Sequence, residues 1–262
     1  MGRKFPCLHA LAMGWVDTHC HLQLDGRPPG ELLARATSVD WIVVPGVDAE
    51  SSEAARRLAD DHPRQLRWTA GLHPHDAERW PAQRERIRAL GHEAHAIGET
   101  GLDYYRNLAP VEDQRAAFAA HIELAAELGK PLIVHCRDAF ADVHAMLAEA
   151  GLGERAILHC WTGGPRWTRR FRDLGVSFSF AGPVAFETGE TVRLGAAEAP
   201  PDRTLVETDT PYLAPPPYRG QPNEPAWVPL IGRMLASVWG REPEEVESST
   251  SDHAARLFGD PR

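Results

Sequence analysis

Cysteine is scarce. The chain has four (Cys7, Cys20, Cys136, Cys160) in 262 residues and no C-x-x-C pair, which excludes a disulfide-built scaffold. No apolar run approaches the roughly 18 residues that a membrane-spanning helix needs. Positive charge is also in deficit: 28 basic against 37 acidic side chains leave a net charge of −9, which argues against a protein that coats nucleic acid or anionic lipid non-specifically. The N-terminus reads as a poor secretory signal. Arg3 and Lys4 lead into a short apolar stretch interrupted by His9, with no small-residue cleavage site after it. The expectations are a cytoplasmic protein with no membrane contact and no stable protein partner. Residues 1–12 are expected to be a dispensable extension, with one domain over 13–262. What is present is a globular composition, 43% hydrophobic and 25% charged, long enough for a substantial core.

Along the chain, short runs rich in Val, Ile, Leu and Thr alternate with helical stretches. Strands are predicted at Trp15–His19, Trp41–Val47, Arg67–His73, Ala96–Leu102, Leu132–Cys136, Ala156–Cys160, Val176–Ala181 and Thr204–Asp209. Helices are predicted at Ser51–His62, Ala82–Ala94, Val111–Leu128, Phe140–Ala150, Trp167–Leu174, about Trp227–Trp239 and Pro243–Phe258. Pro110 and Gly129 act as start and stop signals for the third of these. Eight strands alternating with helices over about 250 residues is the arithmetic of an α/β, TIM-like (β/α)₈ barrel. The competing open sheet leads one to expect a glycine-rich phosphate loop after the first strand, where this chain has Asp17-Thr18-His19-Cys20-His21.

The 13 histidines are unevenly placed. His19, His21, His73, His135 and His159 fall at predicted strand ends, with His75 just beyond one, and Glu99 and Asp209 do the same. In a barrel these ends open on one face. His-x-His on a strand points both imidazoles the same way. Neutral imidazoles converging in a mouth are best satisfied by a divalent metal. His19, His21, His135 and His159 with Glu99 and Asp209 exceed what one tetrahedral ion requires, so two ions are expected, with Glu99 as the bridge. Only Lys4 and Lys130 exist, and Lys130 precedes the fifth strand at the far end of the barrel, so no lysine can serve as a carbamylated bridge. Cys20, Cys136 and Cys160, offset by one from the ligands, are expected to face away from the mouth. The donor set is then nitrogen and oxygen, which suits Zn²⁺, Mn²⁺, Fe²⁺ or Mg²⁺. Arg137, Tyr104, Tyr105, Arg106, Arg219 and Asn223-Glu224 surround the ligands as candidate anion or base contacts. The cluster Arg166, Arg169, Arg170 and Arg172 reads as an exposed helix face.

Seven blocks in order resemble the signatures of the TatD family of metal-dependent deoxyribonucleases. They are Asp17–Leu22, Gly71–His75, Ile97–Tyr105, Ile133–Ala139, His159–Gly164, Glu207–Pro215 and Asn223–Pro225. Gln23, Trp161-Thr162 and Tyr218 depart from that pattern without removing a ligand. The resemblance implies a dinuclear site, with His19, His21 and Asp209 on one ion, His135 and His159 on the other, and Glu99 shared. It also implies phosphodiester hydrolysis of DNA, often 3′→5′ on single strands, with two divalent ions (Mg²⁺, Mn²⁺ or Zn²⁺). In that reading Asp209 and Glu99 are catalytic, and Asp209 orients the attacking water. His73, Tyr104, Arg137, Arg219, Asn223 and Glu224 are the substrate contacts. Two divalent ions add +4, moving the net charge from −9 to −5 and making the mouth locally positive. A metal-dependent amide or ester hydrolase on the same barrel, such as an aminoacyl-tRNA deacylase, is the alternative.

Overall fold

A computed structural model describes residues 14–261; the extension expected at 1–12 lies outside them. Eight strands run parallel in sequence order: β1 (Trp15–Asp17), β2 (Val39–Val44), β3 (Leu66–Ala70), β4 (Ala96–Asp103), β5 (Leu132–Arg137), β6 (Ala156–Leu158), β7 (Ser177–Phe180) and β8 (Thr204–Val206). The ring closes where the Thr18 amide donates to the Val206 carbonyl at 3.0 Å and Cys20 bridges to Thr210. Helices cover the outside: α1 (Pro29–Arg35), α2 (Ala49–Asp61), α3 (Trp80–Glu93), α4 (Val111–Leu128), α5 (Phe140–Ala150), α6 (Pro165–Asp173), α7 (Glu190–Ala196), α8 (Val228–Trp239) and α9 (Pro243–Phe258). The (β/α)₈ barrel expected from the alternation is the fold.

Two elements were not legible. α1 and α7 are seven residues each and follow Pro28 and Gly189; two turns are too short to show a helical period. The strands also stop earlier than expected. β1 ends at Asp17, β6 at Leu158 and β8 at Val206, so His19, His159 and Asp209 sit on the loops that follow.

Alternation sorts the core. On β2, Ile42 and Val44 pack outward, while Trp41 and Val43 join Val16, Ile133, Ile157 and Leu205 inside the barrel. Ala254 and Phe258 of α9 close the N-terminal end of that interior, with Phe258 edge-on to Trp41 at 6.4 Å between ring centroids. Lys130 lies at this end, as expected. Its Nζ donates to the carbonyls of Gly91 and His92, both at 2.7 Å, in the last turn of α3. Among the described residues, no helix is long and apolar enough to cross a membrane.

Candidate metal centre

On β5, Leu132 and Val134 pack outward, so Ile133 and His135 face in; on β6, Ile157 faces in, and the same phase carries His159 into the mouth. The other three ligands, on β4 and after β1, need a correction to simple alternation. On β4, Ala96 is inside and Ile97 outside, so strict alternation would turn Glu99 outward. The pairing with β5 shifts register between Ile97 and Thr100, and this bulge re-aims Glu99 into the mouth. Gly98 makes the bulge possible. Its φ is +126°, and a Cβ there would lie 2.6 Å from the Ile133 carbonyl oxygen. At β1, Val16 is inside, and the chain leaves the strand at Asp17 before presenting His19 and His21. Asp17 holds that turn. Its carboxylate accepts from the Thr208 amide (2.9 Å), the Thr208 hydroxyl (2.6 Å) and the His19 amide (3.3 Å). Burial raises the Asp17 pKa to about 8.

The buried Glu99 carboxylate is the hub. Oε2 lies 3.1 Å from His19 Nε2 and 3.7 Å from His21 Nε2. Oε1 lies 3.0 Å from His135 Nδ1, 3.0 Å from His159 Nε2 and 3.3 Å from His73 Nε2. Asp209 completes the first side, its Oδ1 lying 3.5 Å from His21 Nε2 and 4.0 Å from His19 Nε2. The groups that could hold a metal are therefore His19, His21, Glu99, His135, His159, Asp209 and also His73, in three overlapping sets.

The donors fit cations. His135 Nε2 faces Asp103 Oδ2 at 3.1 Å, and His159 Nδ1 faces Glu207 Oε1 at 3.3 Å. A carboxylate only accepts, so each ring carries its proton on that side and turns its other nitrogen's lone pair into the site. His135 Nδ1 and His159 Nε2 then meet at 3.2 Å with Glu99 Oε1 beside them. Three acceptors so close need positive charge between them. The titration tendencies agree. Burial would raise the Glu99 pKa, but the charges of His159, His73 and His19 hold it well below the ordinary carboxylate value. Burial lowers the His19 and His73 pKa values, the latter to about 4. His159, despite burial, is raised by Glu99 and Glu207.

The remaining expected contacts divide. His73 and Arg137 line the mouth cavity, which has a volume of about 750 Å³. Tyr104 does not line it; its hydroxyl donates to Asp142 at 2.7 Å and its ring packs on the core, because alternation past the inward Asp103 turns it outward. Arg219 lies over the Phe186 ring at 3.8 Å and donates to the Ala214 carbonyl at 3.0 Å. Asn223 is fully buried and donates to the carbonyls of Thr208 and Tyr212, both at 2.7 Å. Glu224 accepts from Arg35 at 2.8 Å. Tyr104, Arg219, Asn223 and Glu224 thus brace loops around the mouth and do not face into it.

Cys20 belongs to an apolar cluster outside the barrel, as expected, and so does Cys136, although it borders the cavity. Cys160 differs: beyond the end of β6 its φ is +44°, and it lines the cavity. The Arg166, Arg169, Arg170 and Arg172 side chains are exposed, two of them paired with Glu198. Asp103 and Glu207 were not expected at the site, and His75, expected beside the strand ends, had no role assigned. His75 Nε2 lies 2.8 Å from Asp103 Oδ2, which His135 also reaches. The spacing Glu99-x-Gly101-x-Asp103 carried the signal, since period two puts Asp103 on the face of Glu99.

Residues 16–259 match the TatD related DNase family. The chain is 37% identical over 235 residues to the 3′-5′ ssDNA/RNA exonuclease TatD of Rahnella sp. (strain Y9602), covering 86% of this chain and 89% of that protein. It is 37% identical over 255 residues to the uncharacterized metal-dependent hydrolase YcfH of Escherichia coli (strain K12), covering 93% and 95%. The solved structure of YJJV, a TatD homolog from Escherichia coli k12, superposes with a TM-score of 0.87 at 26% identity, over 93% of this chain and 97% of that one. With a carboxylate-bridged cluster of histidines at the mouth of a (β/α)₈ barrel and matches over nearly its whole length, this chain belongs to the TatD related DNase family of metal-dependent hydrolases.

Proposed function

We propose that the chain is a metal-dependent phosphodiesterase that removes nucleotides 3′→5′ from single-stranded DNA. The observation that carries this reading is Glu99, whose two oxygens face His135 and His19 at 3.0 and 3.1 Å, so that one carboxylate would serve two ions. His19, His21 and Asp209 would hold one ion and His135 and His159 the other, with Glu99 shared. Bound there, two divalent ions (Mg²⁺, Mn²⁺ or Zn²⁺) supply Lewis acidity toward a phosphoryl oxygen and a source of hydroxide at neutral pH. Asp209 orients the attacking water and accepts its proton. Burial opposes its ionisation, but the hydrogen bond from His21 and the nearby imidazoles lower its pKa, so it is a carboxylate at neutral pH. Arg137 presents a planar fork to the non-bridging phosphate oxygens. His73 keeps its proton on Nε2, because Nδ1 accepts from the His75 amide at 3.2 Å, and so can donate to Glu99 or to the substrate. Asp103 and Glu207 orient His135 and His159. Relatives named as ssDNA/RNA exonucleases support the choice of substrate. The free thiols of Cys20, Cys136 and Cys160 suit the reducing cytoplasm, where we place the enzyme.

The test is turnover of a 5′-labelled single-stranded DNA oligomer by metal-stripped protein, with each metal added back and Glu99→Ala as control. The expected result is a ladder shortening from the 3′ end that depends on metal and is absent in the variant. Protein that binds metal, leaves the oligomer intact and releases amino acid from an aminoacyl ester would overturn it.

A further inference from the structure

Among the described residues, five large hydrophobic side chains are exposed: Leu24, Tyr105, Leu108, Leu194 and Tyr212. Single exposed apolar residues are ordinary, but four of these five sit on the loops around the metal centre. The ring order places them on two walls. Leu24 follows β1 and Tyr212 follows β8, which are adjacent at the closure. Arg106 and Leu108 follow β4 and Arg137 ends β5, on the opposite side of an eight-strand ring. Leu24, Tyr212, Arg106, Leu108 and Arg137 all line the mouth cavity. Tyr105 stands behind the second wall, with the Arg137 guanidinium 4.0 Å above its ring centroid.

Tyr212 is 57% exposed, yet its backbone is fixed. Its amide donates to the Asp209 carbonyl at 2.8 Å, and its carbonyl accepts from the buried Asn223 at 2.7 Å. Pro211 precedes it and three prolines, Pro215 to Pro217, follow. Its ring stands edge-on to His21 at 6.4 Å between centroids, beside the ligand set but outside it. A rigid loop holding an open aromatic face loses little conformational freedom on stacking. The facing wall offers two guanidinium groups, one of them braced on Tyr105.

We infer that Tyr212 is the stacking platform for a base next to the scissile phosphate, while across the mouth Arg137 holds that phosphate and Arg106 takes a flanking one. A nucleotide strand is the ligand whose chemistry matches both walls: flat apolar faces on one side, anionic groups on the other. A base inside a duplex has both faces occupied by its neighbours, so stacking on Tyr212 selects an unpaired strand. This inference rests on the phosphodiesterase reading and assigns that reading's preference for single strands to one side chain. It also explains Asn223, whose clamp on the Tyr212 carbonyl makes it a positioning residue for the platform.

The experiment compares fluorescein-labelled oligothymidine with an abasic deoxyribose-phosphate oligomer of the same length and charge, binding measured by anisotropy. Wild type, Tyr212→Ala and Tyr212→Phe are tested, and turnover of both oligomers is followed with metal present. Wild type is expected to prefer the base-bearing strand by about 5- to 150-fold, the range that one base–aromatic stack supplies. Tyr212→Ala is expected to lose the preference while binding the abasic strand like wild type, and Tyr212→Phe to keep it. A preference unchanged in Tyr212→Ala, or absent from a wild type that cleaves both strands, overturns the platform alone. A Tyr212-dependent preference without cleavage under any metal leaves the platform standing and overturns the hydrolysis.

Discussion

The two ends of the barrel are built from the same eight strands and obey different rules. At the N-terminal end, alternation sorts the interior, with one register shift where Trp15 and Val16 pair with β2. Val16, Trp41, Val43, Ile133, Ile157 and Leu205 point inward, and α9 closes the end with Ala254 and Phe258. At the C-terminal end His135 and His159 keep that phase, but the pattern is broken at the other ligands. The chain leaves β1 before His19, β4 carries a bulge before Glu99, and Cys160 and Asp209 adopt positive φ. One end is apolar and regular and carries stability. The other gathers five histidines, three of them buried, around one carboxylate, an arrangement costly without bound cations.

That contrast can be broken at either end. The largest effect is expected at the top: Glu99→Ala should lower kcat/KM by about 10³-fold, the upper range for losing one preorganised charge. Its melting temperature in the metal-free state should not fall, since the charged hub is removed and the other end is untouched. Phe258→Ala should do the reverse, costing about 3 kcal/mol and roughly 10 °C in melting temperature while activity per folded molecule stays at wild type. A calorimetric scan beside a turnover assay separates the two. Gly98→Ala tests the device that joins the ends. The new Cβ meets the Ile133 carbonyl and the positive φ is strained, so about 2–3 kcal/mol should be lost. Metal affinity should fall with it as Glu99 shifts, a coupling that chelator competition would detect.

His121 on α4 sharpens the comparison from outside. It donates from Nδ1 to Ala117 at 2.7 Å and accepts at Nε2 from the Leu72 amide at 3.1 Å, next to His73. Burial lowers its pKa from 6.5 to about 4. The folded pKa is below the unfolded one, so its contribution is complete above pH 6.5 and is lost as pH falls toward 4. Over that window it should account for roughly 2–3 kcal/mol of lost stability. His121→Leu should flatten the slope of denaturant-derived stability against pH by about one proton there. The smallest effect is expected from Asp103→Asn, which leaves His135 in place but removes the anion that orients it. Metal affinity should drop about 10- to 100-fold with little change in thermal stability.

How far the site was legible follows from the same contrast. The ligand types at strand ends were visible because one face of a barrel collects them, whatever the local backbone does. Their orientation was not, because alternation counted from Ile97 turns Glu99 the wrong way. Tyr104 and Tyr105 look alike in the sequence, but with Asp103 facing inward a one-residue offset exchanges a braced ring for an exposed one. Arg219, Asn223 and Glu224 have the polarity of substrate contacts, but the fold uses that polarity to hold the proline-rich loop.

By itself the sequence determined the barrel, the nitrogen and oxygen donor set and the family. Periodicity, residue type and motif order are properties of the chain in one dimension, and each strand needs only its own alternation to declare a buried face. The tertiary structure alone decided which carboxylate oxygen meets which imidazole, which tautomers Asp103 and Glu207 impose, and which side chains around the mouth are braces. Those depend on the register between β4 and β5 and on loops meeting across the ring, where residues far apart in sequence share one hydrogen-bond network.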